Sequence, residues 1–312
     1  MKNTLKKPTM FNIVLGNIIL MIKEQINDNT MPSPKKIGSY TLLQRMVRPH
    51  KSSNSAIGIY QKGRKKYFIK SWTGIIKDIN YYCIVSQYLT NKAFHELFVS
   101  KSNKYNIKTP KAIEYIKSKN SLSVVYEYID GRQLDKFDSE IQAKIIVNIA
   151  NNLKSFSDSL SEEEKKYFSK RNKLFYMFIL LVASIILLIF SPRNFKIILN
   201  SFFNSIAALL SSKENGQSLA HRDLLPKNIM VSDKNIFILD LETMVMTLPD
   251  YDYSFLQIEP DNKKIAEIVK KKFRKYGDKA IKRMIALQYA VSLTNPFGLK
   301  KHYMQTLYML NK

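Results

Sequence analysis

The first apolar run, Met10 to Ile22, follows Lys2, Lys6 and Lys7 and so has the outline of a signal peptide. Asn12, Gly16 and Asn17 interrupt it, and the polar KEQINDNTMPSP beyond offers no small-residue cleavage site. The pattern predicts a short helix that packs or touches a membrane, followed by a linker over residues 31–38. From Tyr40 to Lys70, TLLQRMV, AIGIYQK and KKYFIK alternate or carry β-branched residues, with RPHKSSNS and KGRK as turns. Residues 79–101 lack Gly and Pro and predict one or two helices. PKAIEYIK and SLSVVYEYI form a strand pair about Lys117–Asn120, closed by Asp130-Gly131.

The pattern then turns helical. Ser139–Phe156 is amphipathic, 158–173 is strongly charged, and Leu174–Phe190 carries no charge at all. Ser191-Pro192-Arg193-Asn194 breaks that helix, and a more amphipathic run with Lys196, Asn200 and Asn204 follows. Lys263–Lys275 and Ile281–Ser292 predict the last helices. Strands first and helices afterwards predict a two-lobed α+β protein. Its expected parts are an apolar helix and linker (1–38), a strand-rich lobe (39–131) and a helical lobe (132–312) with an apolar insertion at 174–190.

Composition narrows the partners. The chain has 312 residues, 45% of them apolar, enough to bury a substantial core. Lys and Arg number 50 against 25 Asp and Glu, and the net +25 asks for an anionic partner: a phosphate-bearing substrate, an acidic membrane or nucleic acid. The lysines are spread along the chain without an aromatic-interleaved basic motif, so nucleic acid is not expected. A lone cysteine, Cys83, excludes a disulfide framework and a Cys-rich metal site, and four histidines leave little for a His-based centre. A reducing, cytoplasmic setting is the expectation. No feature sets an oligomeric state.

The most informative line is Ala220-His221-Arg222-Asp223-Leu224-Leu225-Pro226-Lys227-Asn228, then a hydrophobic hairpin turning at Asp233-Lys234-Asn235 and ending at Asp240-Leu241-Glu242. The spacing is H-R-D-x-x-x-x-N followed by an acid at a strand end. Phosphoryl transfer needs a carboxylate at the acceptor hydroxyl and oxygen ligands for Mg²⁺ on the phosphates. Asp223 stands where the first belongs, and Asn228 and Asp240 where the ligands belong.

These residues resemble the protein-kinase-like superfamily in its small-molecule and glycolipid branch. The likeness is to lipopolysaccharide kinases acting on the Kdo or heptose sugars of the lipid A core, with aminoglycoside and choline kinases as neighbours. It runs from about Tyr40 to about Phe255 and is strongest at 220–242. The resemblance implies a bilobal kinase-like fold, ATP and Mg²⁺ as cofactors, and a role for each matching residue. Asp223 orients the acceptor and takes its proton; His221 and Arg222 brace the loop. Asn228 and Asp240 hold the metal. Lys70, closing Tyr67-Phe68-Ile69-Lys70, grips the nucleotide phosphates, with Glu96 on the next helix as its acidic partner, although the gap is longer than usual. Glu127-Tyr128-Ile129 resembles the hinge where adenine meets backbone.

Two departures stand against the protein-kinase pattern. The turn at residues 48–55 has no glycine, leaving the backbone and hydroxyls of Ser52, Ser53 and Ser55 to cover phosphates. Leu225 replaces the lysine of Ser/Thr-directed enzymes, and Asp240-Leu241-Glu242 lacks the D-F-G glycine. Both features resemble the sugar and small-molecule kinases. Glu242 reads as an extra metal ligand or as a salt-bridge partner.

Leu174–Phe190 is just long enough to cross a bilayer. A single crossing would place Lys70 and Glu96 on one side of the membrane and His221 to Asp240 on the other, which no working site allows. The segment is therefore a buried helix of the second lobe or an interfacial hairpin. Lys165, Lys166, Lys170, Arg171, Lys173 and Arg193 around it suit anionic headgroups. The expected function is an ATP-dependent kinase of a sugar hydroxyl on a membrane glycolipid, peripheral to the inner face of the cytoplasmic membrane. The alternatives are a soluble aminoglycoside- or choline-type kinase, disfavoured by the basic KKIAEIVKKKFRKYGDKAIKRM, and a membrane-associated scaffold that binds nucleotide without turnover.

Overall fold

A computed structural model describes residues 5–9, 12, 15, 16, 19, 33–46, 55–101, 107–211, 218–233, 235–291 and 300–311. The chain forms two compact units, an α+β arrangement with the strands concentrated in the first. That first unit comprises residues 1–100, 106–132 and 230–242.

Its main sheet has the order β1-β2-β3-β4-β7-β6, all neighbours antiparallel. The strands are β1 (Lys36–Ile37), β2 (Tyr40–Met46), β3 (Ser55–Lys62), β4 (Lys65–Thr73), β6 (Ala112–Lys117) and β7 (Ser121–Glu127), with the short β5 (Ile107–Lys108) outside the sheet. Alternation along the strands sends Ile69 and Val125 to one face with Tyr40 and Tyr60. Trp72, Leu122, Val124 and Tyr126 go to the other, against helix α1 (Ile79–Lys101). Asp78 starts α1: its carboxylate accepts from the backbone N–H of Asn80 and Tyr81 and from the Trp72 indole. Gly16 is buried against the same point, where a Cβ would meet the Ile79 nitrogen at 2.8 Å, so this stretch of the N-terminal run packs on protein.

Residues 230–242 join this unit through pairing. The strand Asn235–Ile238 runs parallel to β5, with Ile236 opposite Ile107 and Phe237 opposite Lys108. Strand Ile229–Ser232 lies on its other side and leads into it through a turn in which Asp233 takes φ +51°.

The second unit comprises residues 101–105, 133–229 and 243–312. Its helices are α2 (Ser139–Ser159), α3 (Glu162–Lys165), α4 (Lys173–Phe190), α5 (Phe195–Ser211), α6 (Tyr251–Ile258), α7 (Lys263–Phe273), α8 (Lys279–Ala290) and α9 (Lys301–Asn311). The charged stretch 158–173 is mostly not helical. Ser161 and Glu164 cap α3 reciprocally, and the chain then leaves to pair Ser169 and Lys170 with Val245 and Met246. Strand Val245–Thr247 also pairs antiparallel with Ser218–Ala220, completing a three-stranded sheet.

The core of this unit joins Tyr176, Leu180 and Leu187 of α4, Ile198 of α5, Phe255 of α6, Ile285 of α8 and Leu307 of α9. Helix α4 is therefore not a core helix in the ordinary sense: only 28% of it is buried.

Candidate active site

Lys70 centres a cluster in the first unit. On β4 it stands opposite Ile57 of β3 and Val124 of β7, and the period of two puts it on the face of Phe68 and Trp72 that packs on α1. The side chain is buried, 7% exposed. Its Nζ donates to Gln87 Oε1 at 2.6 Å and to Asp240 Oδ1 at 2.6 Å, with Glu242 Oε2 at 3.7 Å. A buried ammonium is tolerable only when paired and hydrogen-bonded in this way. Asp240 reaches it from φ +58°, a left-handed conformation that costs a residue with a Cβ about 1–3 kcal/mol and marks sites where surroundings over-determine the backbone. Burial, then the charges of Asp240 and Glu242, push the Tyr126 phenol well above its usual pKa.

The expected Lys70–Glu96 pair is replaced. Glu96 lies about two and a half turns beyond Gln87 on α1, hence on the opposite side of the helix. It is 62% exposed and pairs with Lys92 at 3.9 Å. The helix partner of Lys70 is an amide, and Glu242 brings the second negative charge as a salt-bridge partner. A signal for this existed: Ile84, Gln87, Asn91, Phe94 and Phe98 recur at intervals of three and four, and all are buried. Two amides on an apolar stripe mark polar work inside. Asn91 binds Thr109 Oγ1, the Pro110 carbonyl and the Ala112 N–H.

The second unit holds the loop that follows strand Ser218–Ala220. Asp252, buried at the start of α6, accepts from the backbone N–H of Arg222 at 2.7 Å and of His221 at 3.0 Å. Burial raises its carboxyl pKa, opposed by His221, by the two N–H donors and by Arg222. Thr243 Oγ1 donates to the His221 carbonyl at 2.7 Å. The buried Arg222 guanidinium lies over the Tyr251 ring at 5.3 Å, on a backbone at φ +68°. His221 and Arg222 are thus held on both sides, by Asp252 and by Thr243 and Tyr251. Asn228, at the end of the short turn Pro226–Asn228, donates its amide to Asp223 Oδ2 at 2.8 Å and to the Asp223 carbonyl at 2.9 Å.

Glu127 closes β7 and accepts from the Lys111 N–H at 2.8 Å. Ile129 follows in an irregular stretch that ends at Gly131, where a Cβ would meet the Val231 carbonyl oxygen at 2.8 Å. Ser52 and Ser53 lie outside the described residues.

Among the described residues no cluster of three or more His, Cys, Asp or Glu could hold a metal. Mg²⁺ does not need one, since it takes one or two protein oxygens together with substrate phosphates and water. Each unit, taken by itself, offers an oxygen donor of that kind. In the second, with the Asn228 amide nitrogen engaged on Asp223, the donor left for a cation is its carbonyl oxygen. In the first, the Asp240 carboxylate is 35% exposed.

The sequence profile of the phosphotransferase enzyme family (APH) matches residues 99–284. No curated protein matches the chain. Among solved structures, a thermostable mutant of aminoglycoside phosphotransferase APH(4)-Ia in a ternary complex with AMP-PNP and hygromycin B is similar, with TM-score 0.63 and 10% identity over 89% of this chain and 93% of that one. Spectinomycin phosphotransferase APH(9)-Ia with ADP and spectinomycin gives 0.55 at 14% identity, covering 87% and 85%. The GDP and kanamycin complex of APH(2")-IIia gives 0.55 at 14%, covering 94% and 96%. The fold is the bilobal, kinase-like one these structures share.

Proposed function

The chain belongs to the phosphotransferase enzyme family (APH), and on that premise we propose that it moves the terminal phosphoryl group of ATP to a sugar hydroxyl of a membrane glycolipid, of lipopolysaccharide-core type. The observation that carries this reading is the 2.6 Å pairing of Lys70 with Asp240, residues 170 positions apart in sequence. A kinase needs that lysine to grip nucleotide phosphates beside the acid that faces the metal.

Each side chain then has a task. Lys70, held by Gln87, binds the phosphates of ATP. Asp223 aligns the acceptor hydroxyl and takes its proton as the O–P bond forms and ADP leaves. Asn228 fixes the rotamer of Asp223 through its amide. Asn228 and Asp240 would hold Mg²⁺, which when bound neutralises charge on the phosphates. His221 and Arg222 shape the loop through Asp252 and Tyr251.

A glycolipid acceptor is supported by the likeness of residues 220–242 to lipopolysaccharide kinases and by the basic character of α7, which carries Lys263, Lys264 and Lys270–Lys272 against one acid of its own, Glu267, with Lys272 paired to Glu140. Acceptors bearing phosphate suit such a surface. The soluble alternative is favoured by the antibiotics bound in the similar structures, but cationic aminoglycosides want acidic walls.

The test is transfer of label from γ-labelled ATP or GTP to a lipopolysaccharide extract, to kanamycin or to hygromycin B, with Asp223→Asn as control. Label in the glycolipid that vanishes in the variant supports the proposal. Label only in an antibiotic moves the protein to the soluble reading, and transfer undiminished in Asp223→Asn removes the mechanism.

A further inference from the structure

Helix α4 presents a continuous apolar stripe to the outside. Leu174, Phe178, Leu181, Ile185 and Ile189 are 71%, 48%, 46%, 49% and 66% exposed, at spacings of four, three, four and four. Apolar surface that is contiguous rather than scattered marks a contact with something. The opposite side of α4 buries Tyr176, Leu180, Ala183, Ser184 and Leu187, so protein occupies that side from the first turn to the last.

Among the described residues α4 is the one helix long and apolar enough to cross a membrane, yet its surroundings forbid it. The chain just before α4 pairs with the chain well after it, Ser169 opposite Val245 and Lys170 opposite Met246. Helix α8, which packs on α4, carries Lys279, Lys282 and Arg283. A span would drag charged α8 into hydrocarbon. An interfacial position needs no such thing: a helix with one apolar face and charged ends lies in the plane of the headgroups.

The charge around it selects the occupant. Residues 165–213 contain eight Lys and Arg and no Asp or Glu. Lys165, Lys166 and Lys170 are paired with Glu162 and Glu163, and the Arg171 guanidinium lies over the Phe175 ring at 4.7 Å. Arg193 and Lys196, at the turn into α5, are the charges that frame the end of the stripe. A second copy stacked stripe to stripe would bring these cations against cations, whereas an anionic leaflet neutralises them.

We propose that α4 lies flat on an anionic lipid surface, its stripe of Leu174, Phe178, Leu181, Ile185 and Ile189 at the acyl boundary and Arg193 and Lys196 on the headgroups. The proposal deepens the glycolipid reading and rests on it only for the identity of the acceptor met there; docking itself is measured without catalysis.

The experiment is flotation of the full chain with vesicles of phosphatidylcholine alone or mixed with phosphatidylglycerol. Wild type is expected to float with the mixed vesicles. The variant Leu181→Gln/Ile185→Gln should lose about tenfold or more in partition coefficient. Charge reversal at Arg193 and Lys196 should lose about tenfold or more, and added salt should mimic it. ATP binding by the variants, followed by fluorescence, should stay at the wild-type level, which separates a docking failure from a misfolded chain or a failed kinase assignment. The idea is overturned if wild type stays with the pure-lipid control, if the stripe variant floats undiminished, or if wild type sediments as a dimer that Leu181→Gln/Ile185→Gln converts to monomer without any vesicle binding.

Discussion

The loop around Asp223 and the cluster around Lys70 are held in opposite ways. The loop is fixed by side chains that grip its backbone: the Asp252 carboxylate of α6 takes two N–H groups, of His221 and Arg222, and the Asn228 amide, five residues on, locks Asp223. The Lys70 cluster is fixed by side chains that meet only because three separate elements, β4, α1 and the segment after strand Asn235–Ile238, come together. A loop gripped through its backbone keeps its shape, whatever its own side chains, as long as those few anchors stay. A site wired through tertiary structure can exchange one partner for another, and here it has: an amide stands on the helix, and the second negative charge comes from Glu242.

That contrast can be broken or sharpened by substitution. Asp223→Asn should lower kcat about 10²–10⁴-fold with an unchanged thermal midpoint; a large fall in the midpoint would show the loop to be less self-sufficient than described. Lys70→Met should cost about 10²–10³-fold in kcat/KM, mainly through nucleotide KM, and leave the loop's own folding untouched.

Asp252→Ala touches no reacting atom yet strands two buried N–H groups, so chemical denaturation should report a loss of about 2–3 kcal/mol. Equal stability there would mean that the loop is held by something other than the carboxylate. Gln87→Leu should raise nucleotide KM roughly tenfold or less, with Gln87→Glu restoring most of it. Glu96→Ala should change stability and kinetics by no more than about 0.5 kcal/mol, as an exposed ion pair does. A larger effect at Glu96 than at Gln87 would return the lysine's partner to the position that its charge first suggested.

The two regions were also unequally legible in sequence. His221, Arg222, Asp223 and Asn228 sit within eight residues, so spacing alone carries their relation, and the structure places Asn228 on Asp223 as a local turn would. Lys70 and Asp240 were recognisable only as members of a pattern. Charge points to Glu96, while helical phase points to Gln87; charge identifies a partner only after geometry has placed it. The order of strands and helices followed from periodicity and breakers, whereas the stretch 158–173 did not. A two-residue strand such as Ser169–Lys170 has no periodicity of its own and exists because Val245 and Met246 are there to pair with it.

That same small strand carries a mechanical consequence. Helix α4 begins three residues after Lys170; Ser169 pairs with Val245, Val245 with Ala220, and Ala220 leads directly into His221. The Tyr176 hydroxyl adds a hydrogen bond from the first turn of α4 to Thr247. Three short paired strands therefore join the base of α4 to the loop that carries Asp223. On the docking proposed for α4, that link would hold the loop at one fixed height above the lipid plane.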